Sequence, residues 1–356
     1  MSIPISRRSN TLSSSLGLGE KLFESSNERK FADAIEQGLK TVEAGLLNQM
    51  QFADEIADVT SRYLLDAGGK RVRPVLTLLT AQLGDGNTDS VITAAQAVEI
   101  THLASLYHDD VMDEAQMRRG VPSAQNVWGN SVAILTGDLL FARASKLISS
   151  LGERAITLQA STFERLCLGQ LHETIGPRHG EDPVQHYVQV LADKTGSLIA
   201  TAAEVGVIFS NAPEDYVEPV RTFGEKIGIA FQLIDDVIDL STETDKTGKA
   251  AGTDLRAGVA TLPLLYLREL AATNTAADDL VRRIEREVTA AYSGEANEAA
   301  LSAAIAELRG HAVTKRTLEE AYRWSREAVE ALDPLPKGPV KKALTRFAGT
   351  IVERSN

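Results

Sequence analysis

The chain has 356 residues, 43% of them hydrophobic and 24% charged, so a large core can form and dominant disorder is excluded. A net charge of -12 argues against nucleic acid as the main partner. The single cysteine, Cys167, excludes a disulfide scaffold or a cysteine-built zinc centre and is expected as a small buried residue.

Residues 1–25 read as a flexible, Ser-rich tail. Arg7-Arg8 is not an export signal, because no apolar run follows it before Glu20 and Lys21. Residues 26–356 read as one all-α domain. Gly and Pro are few, aromatics make up 5%, and apolar residues recur at spacings of three and four. Examples run through Leu78, Leu79 and Leu83, then Val91, Ala95, Val98, Leu103 and Leu106. Gly84–Asn87, Gly120–Ser123, Gly176-Pro177 and Asn211–Pro213 punctuate these runs, and a long polar loop is expected over Ser241–Gly258. Thr273–Gly310 reads as outer scaffold, and Trp128 and Trp324 as core anchors. The longest uncharged stretch, Gly120–Gly137, carries Pro122, Gln125, Asn126 and Asn130, so no bilayer helix is expected and the expected compartment is the cytoplasm.

The chemistry concentrates in two acidic clusters. The first is His102-Leu-Ala-Ser-Leu-Tyr-His-Asp109-Asp110-Val-Met-Asp113, with Arg118 and Arg119 just beyond. On a helix, Asp109 and Asp113 project together, and His102 lies two turns earlier on nearly the same face. Like charges at that spacing cost roughly 0.2–0.5 kcal/mol per pair in a bare helix. The cost has a purpose if a cation neutralises them, and carboxylates without cysteine suit Mg²⁺ or Mn²⁺. The second cluster is Phe231-Gln232-Leu-Ile-Asp235-Asp236-Val-Ile-Asp239, more than a hundred positions later. Taken alone, either could be a solvated helix end. Two, each behind an apolar run, suggest helices facing across a cavity with divalent ions between them. Mg²⁺ usually keeps waters and substrate phosphates, so the missing ligand is expected to be phosphate-like.

Basic groups accompany both clusters: Gly68-Gly69-Lys70-Arg71-Val-Arg73-Pro74, Arg118-Arg119, Lys194-Thr195-Gly196 inside an apolar run, and Lys249. His108 is expected to pack or hydrogen-bond rather than ligate metal. His172, His179, His186 and His311 read as surface or loop residues.

The pattern resembles the trans-isoprenyl (E-polyprenyl) diphosphate synthases from about residue 30 onward, and within them the bacterial long-chain enzymes. The motifs that carry the resemblance are GGKRVRP, HDDVMDEAQMRRG, LTGDLLFARA, LADKTGSLIA and FQLIDDVIDLSTETDKTGKAAGTDL followed by TLPLLY. The resemblance implies an all-α isoprenoid-synthase barrel around a deep apolar cavity, a homodimer, and Mg²⁺ as cofactor. It implies that Asp109, Asp113, Asp235, Asp236 and Asp239 hold metal, with Asp110 in support. It assigns Lys70, Arg73, His102 and Arg119 to isopentenyl diphosphate. Arg118, Lys194, Thr195, Gln232 and Lys249 would serve the allylic diphosphate. Many relatives carry a lysine where this chain has Val259, which would shift allylic binding toward Lys249 and Arg118. Ala104 and Ser105, both small, would let the growing tail pass, giving a product above about twenty carbons, used for menaquinone side chains. Product release leaves room for peripheral membrane contact. Other readings stay open: a short-chain synthase, a class I terpene cyclase, a non-catalytic partner subunit, or an acidic helical interaction protein. The second complete Asp-Asp-x-x-Asp and GGKRVRP oppose the cyclase, and intact acidic clusters oppose the silent subunit.

Overall fold

The computed structural model describes residues 26–241, 251–292, 295 and 297–353. The described residues are almost entirely helical. In chain order they form α1 (Ser26–Gln49), α2 (Glu55–Asp66), α3 (Val72–Ala81), α4 (Asp89–Met112), α5 (Ala124–Trp128), α6 (Asn130–Ser149), α7 (Glu153–Ile175) and α8 (Pro183–Leu191). A π-helical turn, Ala192–Gly196, leads into α9 (Ser197–Phe209). Then come α10 (Val217–Asp239), α11 (Thr253–Arg256), α12 (Leu262–Ala271), α13 (Thr275–Tyr292), α14 (Glu298–Gly310), α15 (Ala312–Ala331) and α16 (Pro339–Val352). The break expected at Gly120–Ser123 is a minimal antiparallel hairpin, β1 (Met117–Arg118) with β2 (Val121–Pro122).

Contacts group the chain into two units. The first comprises described residues up to Glu164, Leu198–Gly224 and Ala331–Phe347; the second comprises Arg165–Ser197, Glu225–Glu330 and the residues from Ala348.

In the first unit α4 is buried on nearly every side, as an apolar-all-round helix must be. Val91, Ala94, Ala95, Ala97, Val98, Ile100, Leu103, Ala104 and Tyr107 are all buried. Thr88 caps its start, accepting a bond from the Val91 amide at 3.2 Å. Helices α3 and α9 approach closely. Thr77 and Thr80 donate to the carbonyls of Ala202 and Ala203 at 2.7 and 2.8 Å. A side chain at Gly206 would sit 2.1 Å from the Thr80 hydroxyl. In the second unit, Leu262, Leu267, Leu280, Ile284, Ile305 and Leu308 form the apolar interior, each contributing about 1.5–3 kcal/mol. Helices α13 and α14 account for Thr273–Gly310 among the described residues.

Two sequence expectations shift. Cys167 is exposed, on the outer face of α7, not buried. Both tryptophans are half-buried: Trp128 packs edge-on against Tyr63 at 4.8 Å, and Trp324 lies under two cations, Lys226 at 5.0 Å and Arg323 at 4.8 Å.

Candidate active site

The acidic end of α4 lies in the first unit. Asp109 and Asp110 occupy its last turn, Asp113 ends it, and no basic residue lies there. Carboxylates at a helix C-terminus oppose the dipole by about 0.3–1 kcal/mol each, so this end is poised for an external cation. The three aspartates are not equivalent. Asp113 is exposed and Asp109 half-buried, whereas Asp110 has no exposure. Arg118 holds Asp110, its Nε and Nη2 donating to Oδ1 at 2.6 and 2.5 Å. Burial still pushes the Asp110 carboxyl up, against the pull of Arg118.

Next to it stands a dense group of arginines. Gly68 and Gly69 have φ of +94° and +154°, and Arg71 enters the left-handed region at +53°. This bend folds Arg71 inward. Its guanidinium meets Glu43 Oε1 at 2.5 Å and buried Glu99 Oε1 at 3.3 Å. It also donates to the carbonyl of Leu65 at 3.4 Å. Arg119 donates to the carbonyls of Leu64, at 2.7 Å, and Gly68. The two arginines thus cap the negative end of α2. Burial lowers Arg73 to about 10, with Arg119 adding to the effect and Glu99 and Asp109 opposing it. Burial, then Arg73, Arg119, Arg118 and Arg71, holds His102 well below the usual imidazole value, so it is neutral. Lys70 is exposed. Arg73, Arg118 and Arg119 all act on His102, so these four residues share one electrostatic neighbourhood beside the last turns of α4. Arg71 and Glu99 were missed. Within GGKRVRP nothing in the sequence separates a structural arginine from a ligand-facing one.

Ala104 and Ser105 part company. Asp109 is four positions beyond Ser105, so the two share a face, whereas Ala104 points well away. Ala104 has no exposure; Ser105 is half-buried and donates to the His102 carbonyl at 2.9 Å. His108 packs as expected, its Nε2 3.1 Å from the Ile134 carbonyl and 3.2 Å from Asp138 Oδ1.

In the second unit α10 likewise ends in Asp235, Asp236 and Asp239 without a basic residue in its last turn. Asp236, 5% exposed, accepts from the Tyr187 hydroxyl at 2.8 Å and the Leu262 amide at 3.4 Å. Burial, with Asp254 and Asp235 nearby, pushes Asp236 well up. Asp239 accepts from the amides of Thr253 and Asp254, both at 3.1 Å, and its carbonyl accepts from Gly252. It thereby ties residues 252–254 to the end of α10. Asp235 and Gln232 are half-buried. Val259 is 39% exposed. Lys194 and Thr195 sit on the π-helical turn, where Lys194 pairs with Glu173. Lys249 lies outside the described residues.

Carboxylate oxygens are a donor set suited to a hard dication. Among the described residues no three His, Cys, Asp or Glu side chains cluster tightly enough to enclose a metal by themselves. The fit is to an ion that shares its coordination shell with a ligand.

On this all-α frame, with two helices ending in Asp-Asp-x-x-Asp, similarity to known proteins identifies a trans-prenyltransferase. The chain belongs to the polyprenyl synthetase family, whose model matches residues 54–296. A nonaprenyl diphosphate synthase of Mycobacterium tuberculosis is 40% identical over 326 residues, spanning 91% of this chain and 94% of that one. A polyprenyl synthase of Caulobacter crescentus, solved with calcium and isoprenyl diphosphate, superposes with a TM-score of 0.81 at 30% identity, covering 92% of this chain and 98% of that one. A geranylgeranyl pyrophosphate synthase of Corynebacterium glutamicum, also solved with calcium and isoprenyl diphosphate, gives 0.78 at 37%, covering 92% and 98%. The chain is a polyprenyl diphosphate synthase.

Proposed function

We propose that the chain condenses isopentenyl diphosphate with an allylic primer, farnesyl or geranylgeranyl diphosphate, by repeated head-to-tail addition. The product is an all-trans polyprenyl diphosphate for menaquinone side chains. The observation that carries this reading is the pair of helices α4 and α10, each ending in Asp-Asp-x-x-Asp with no base in its last turn.

Mg²⁺ ions, when bound, would supply positive charge to the departing diphosphate; Asp109 and Asp113 would hold metal on α4, and Asp235 would hold metal on α10. Asp236, held by Tyr187, and Asp239, which ties Thr253 and Asp254 to the end of α10, would support metal there. Lys194, Thr195, Gln232, Arg118 and Lys249 serve the allylic diphosphate and stabilise the charge it gains as the bond breaks. Lys70, Arg73, Arg119 and neutral His102 orient isopentenyl diphosphate so that its double bond attacks the allylic carbon. The released diphosphate takes the proton.

Exposed Ile134, Leu135, Ile156 and Phe163 on α6 and α7 suit a second copy of the chain, giving a homodimer. No helix of the described residues is long and apolar enough to cross a membrane. The enzyme works in the cytoplasm and meets the membrane peripherally to release product.

The purified chain, given farnesyl diphosphate, labelled isopentenyl diphosphate and Mg²⁺, is expected to form elongated products resolved by chromatography. Chelation should abolish turnover, and Asp109→Asn or Asp235→Asn should lower kcat by about 10²-fold or more. Cyclised hydrocarbon, or no product from the chain alone, would refute the reading.

A further inference from the structure

One face of α7 is built to receive the π-helical turn. Residues Arg165, Gly169 and Glu173 are spaced four apart and therefore line one stripe. Each meets the turn. Arg165 Nε donates to Asp193 Oδ1 at 2.7 Å, and its Nη2 donates to the Ala192 carbonyl at 3.4 Å. Gly169 lets the backbone in: a Cβ there would stand 2.7 Å from the Lys194 amide nitrogen. Glu173 pairs with the Lys194 ammonium.

The turn is tied from the other sides as well. Arg165 Nη1 reaches Glu225 Oε2 on α10 at 2.7 Å, and Gln189 donates to Asp193 Oδ2 at 2.8 Å. Ser197 donates to the Asp193 carbonyl at 2.5 Å. A Cβ on Gly196 would lie 3.0 Å from the Glu225 carbonyl, so α10 presses on the turn closely. A single inserted residue in an α-helix is unstable without such support, and π-turns recur at functional sites. Asp193 and Lys194 are adjacent, so what fixes the first aims the second.

We propose that Arg165 is a positioning residue: by clamping Asp193 and Glu225 it holds the π-turn in the register that presents Lys194 and Thr195 to the allylic diphosphate. This rests on the reading that Lys194 binds that diphosphate. Glu173 acts as the counter-charge of Lys194 and gives it up when the diphosphate arrives.

The test compares Arg165→Met, Arg165→Lys, Lys194→Ala and the double variant Arg165→Met/Lys194→Ala. The readouts are KM for each substrate, kcat, competitive inhibition by inorganic diphosphate, and the melting temperature. Arg165→Met should raise KM for farnesyl diphosphate about tenfold or more, with KM for isopentenyl diphosphate changed less than about twofold. Arg165→Lys should recover part of the loss. The double variant should be no worse than Lys194→Ala, because both changes remove one function. If Arg165→Met does not fold, Glu225→Gln, which removes one arm of the clamp at a half-buried position, should raise the same KM selectively. If Lys194→Ala raises the allylic KM but neither clamp variant does, or if the effects simply add, the positioning role is overturned. If Lys194→Ala itself leaves that KM unchanged, the assignment of Lys194 falls first.

Discussion

Removing Glu99 should destabilise the enzyme out of proportion to one side chain. Glu99 is 2% exposed on α4, and its Oε1 lies 3.3 Å from Arg71 Nη1, itself on a side chain 4% exposed. Its charge also acts on Arg73 and Arg119. At an effective dielectric of about 20, the Arg71 contact alone is worth about 5 kcal/mol before desolvation. Breaking a buried pair by deleting one partner typically costs on the order of 3–5 kcal/mol. At about 2 °C per kcal/mol, the low end suited to a chain this long, Glu99→Gln should lower the melting temperature by roughly 6–10 °C. Glu43, the other partner of Arg71, is 38% exposed, so Glu43→Gln should cost no more than about 1 kcal/mol. Adding Arg71→Met to Glu99→Gln should recover stability, because the uncompensated charge leaves with the arginine. Calorimetry of the parent, the three single variants and the double variant decides. If Glu99→Gln melts within about 2 °C of the parent, or its effect adds to that of Arg71→Met, the buried charge balance does not organise this corner.

Three further outcomes follow. His102 is held neutral, its folded value lying below the unfolded one; its contribution is thus present above pH about 6.5 and lost as pH falls below it. Between pH 7.5 and 5 the parent should therefore lose more stability than His102→Gln, as urea titrations would show, and an equal loss would refute the assignment. Ser105→Phe should cut the product to about twenty carbons or fewer on thin-layer chromatography, because it puts a phenyl ring on the face of α4 that carries Asp109. Ala104→Phe should instead cost about 1–3 kcal/mol of stability through overpacking, because Ala104 has no exposure; unchanged melting would count against that.

The helical class was legible because three- and four-residue apolar spacing is a direct consequence of helix geometry; α4, apolar on nearly every side, shows itself instead as a long run without Gly or Pro. The two acidic clusters were legible because repeated like charges at a helix end need an explanation wherever they occur. Division of labour was not legible. Arg71, Arg73, Arg118 and Arg119 look alike in sequence, and only their partners distinguish Arg71 and Arg119, which cap α2, from Arg118, which holds Asp110. The Arg165–Gly169–Glu173 stripe was hidden for a related reason. Charged residues spaced four apart on a helix ordinarily mark a solvated face, and nothing local announces that a π-turn docks there. Cys167 misled because free cysteine is usually buried, and its exposure depends on which face of α7 meets a neighbour.

The two acidic motifs share an internal logic that residue types alone conceal. In each, the second aspartate is the buried one: Asp110 has no exposure and Asp236 only 5%. Each is held by a side chain from elsewhere in its own unit, Asp110 by the guanidinium of Arg118 and Asp236 by the hydroxyl of Tyr187. A buried carboxylate with a fixed partner cannot swing, and the helix backbone directs the preceding aspartate to a different side. The second position is thus an anchor, and the first, Asp109 or Asp235, is the one the proposed function assigns to metal. The anchors differ in kind because their surroundings do. Beside Asp110 the arginines already supply positive charge, so an ion pair is available. Asp236 has Asp235 and Asp254 for neighbours, and a neutral hydroxyl satisfies it without adding a cation that would compete with the metal. On this argument asparagine at position 110 or 236, which keeps a hydrogen-bonding oxygen in place, costs less turnover than asparagine at 109 or 235, and steady-state kinetics of the four variants would expose the reverse ranking.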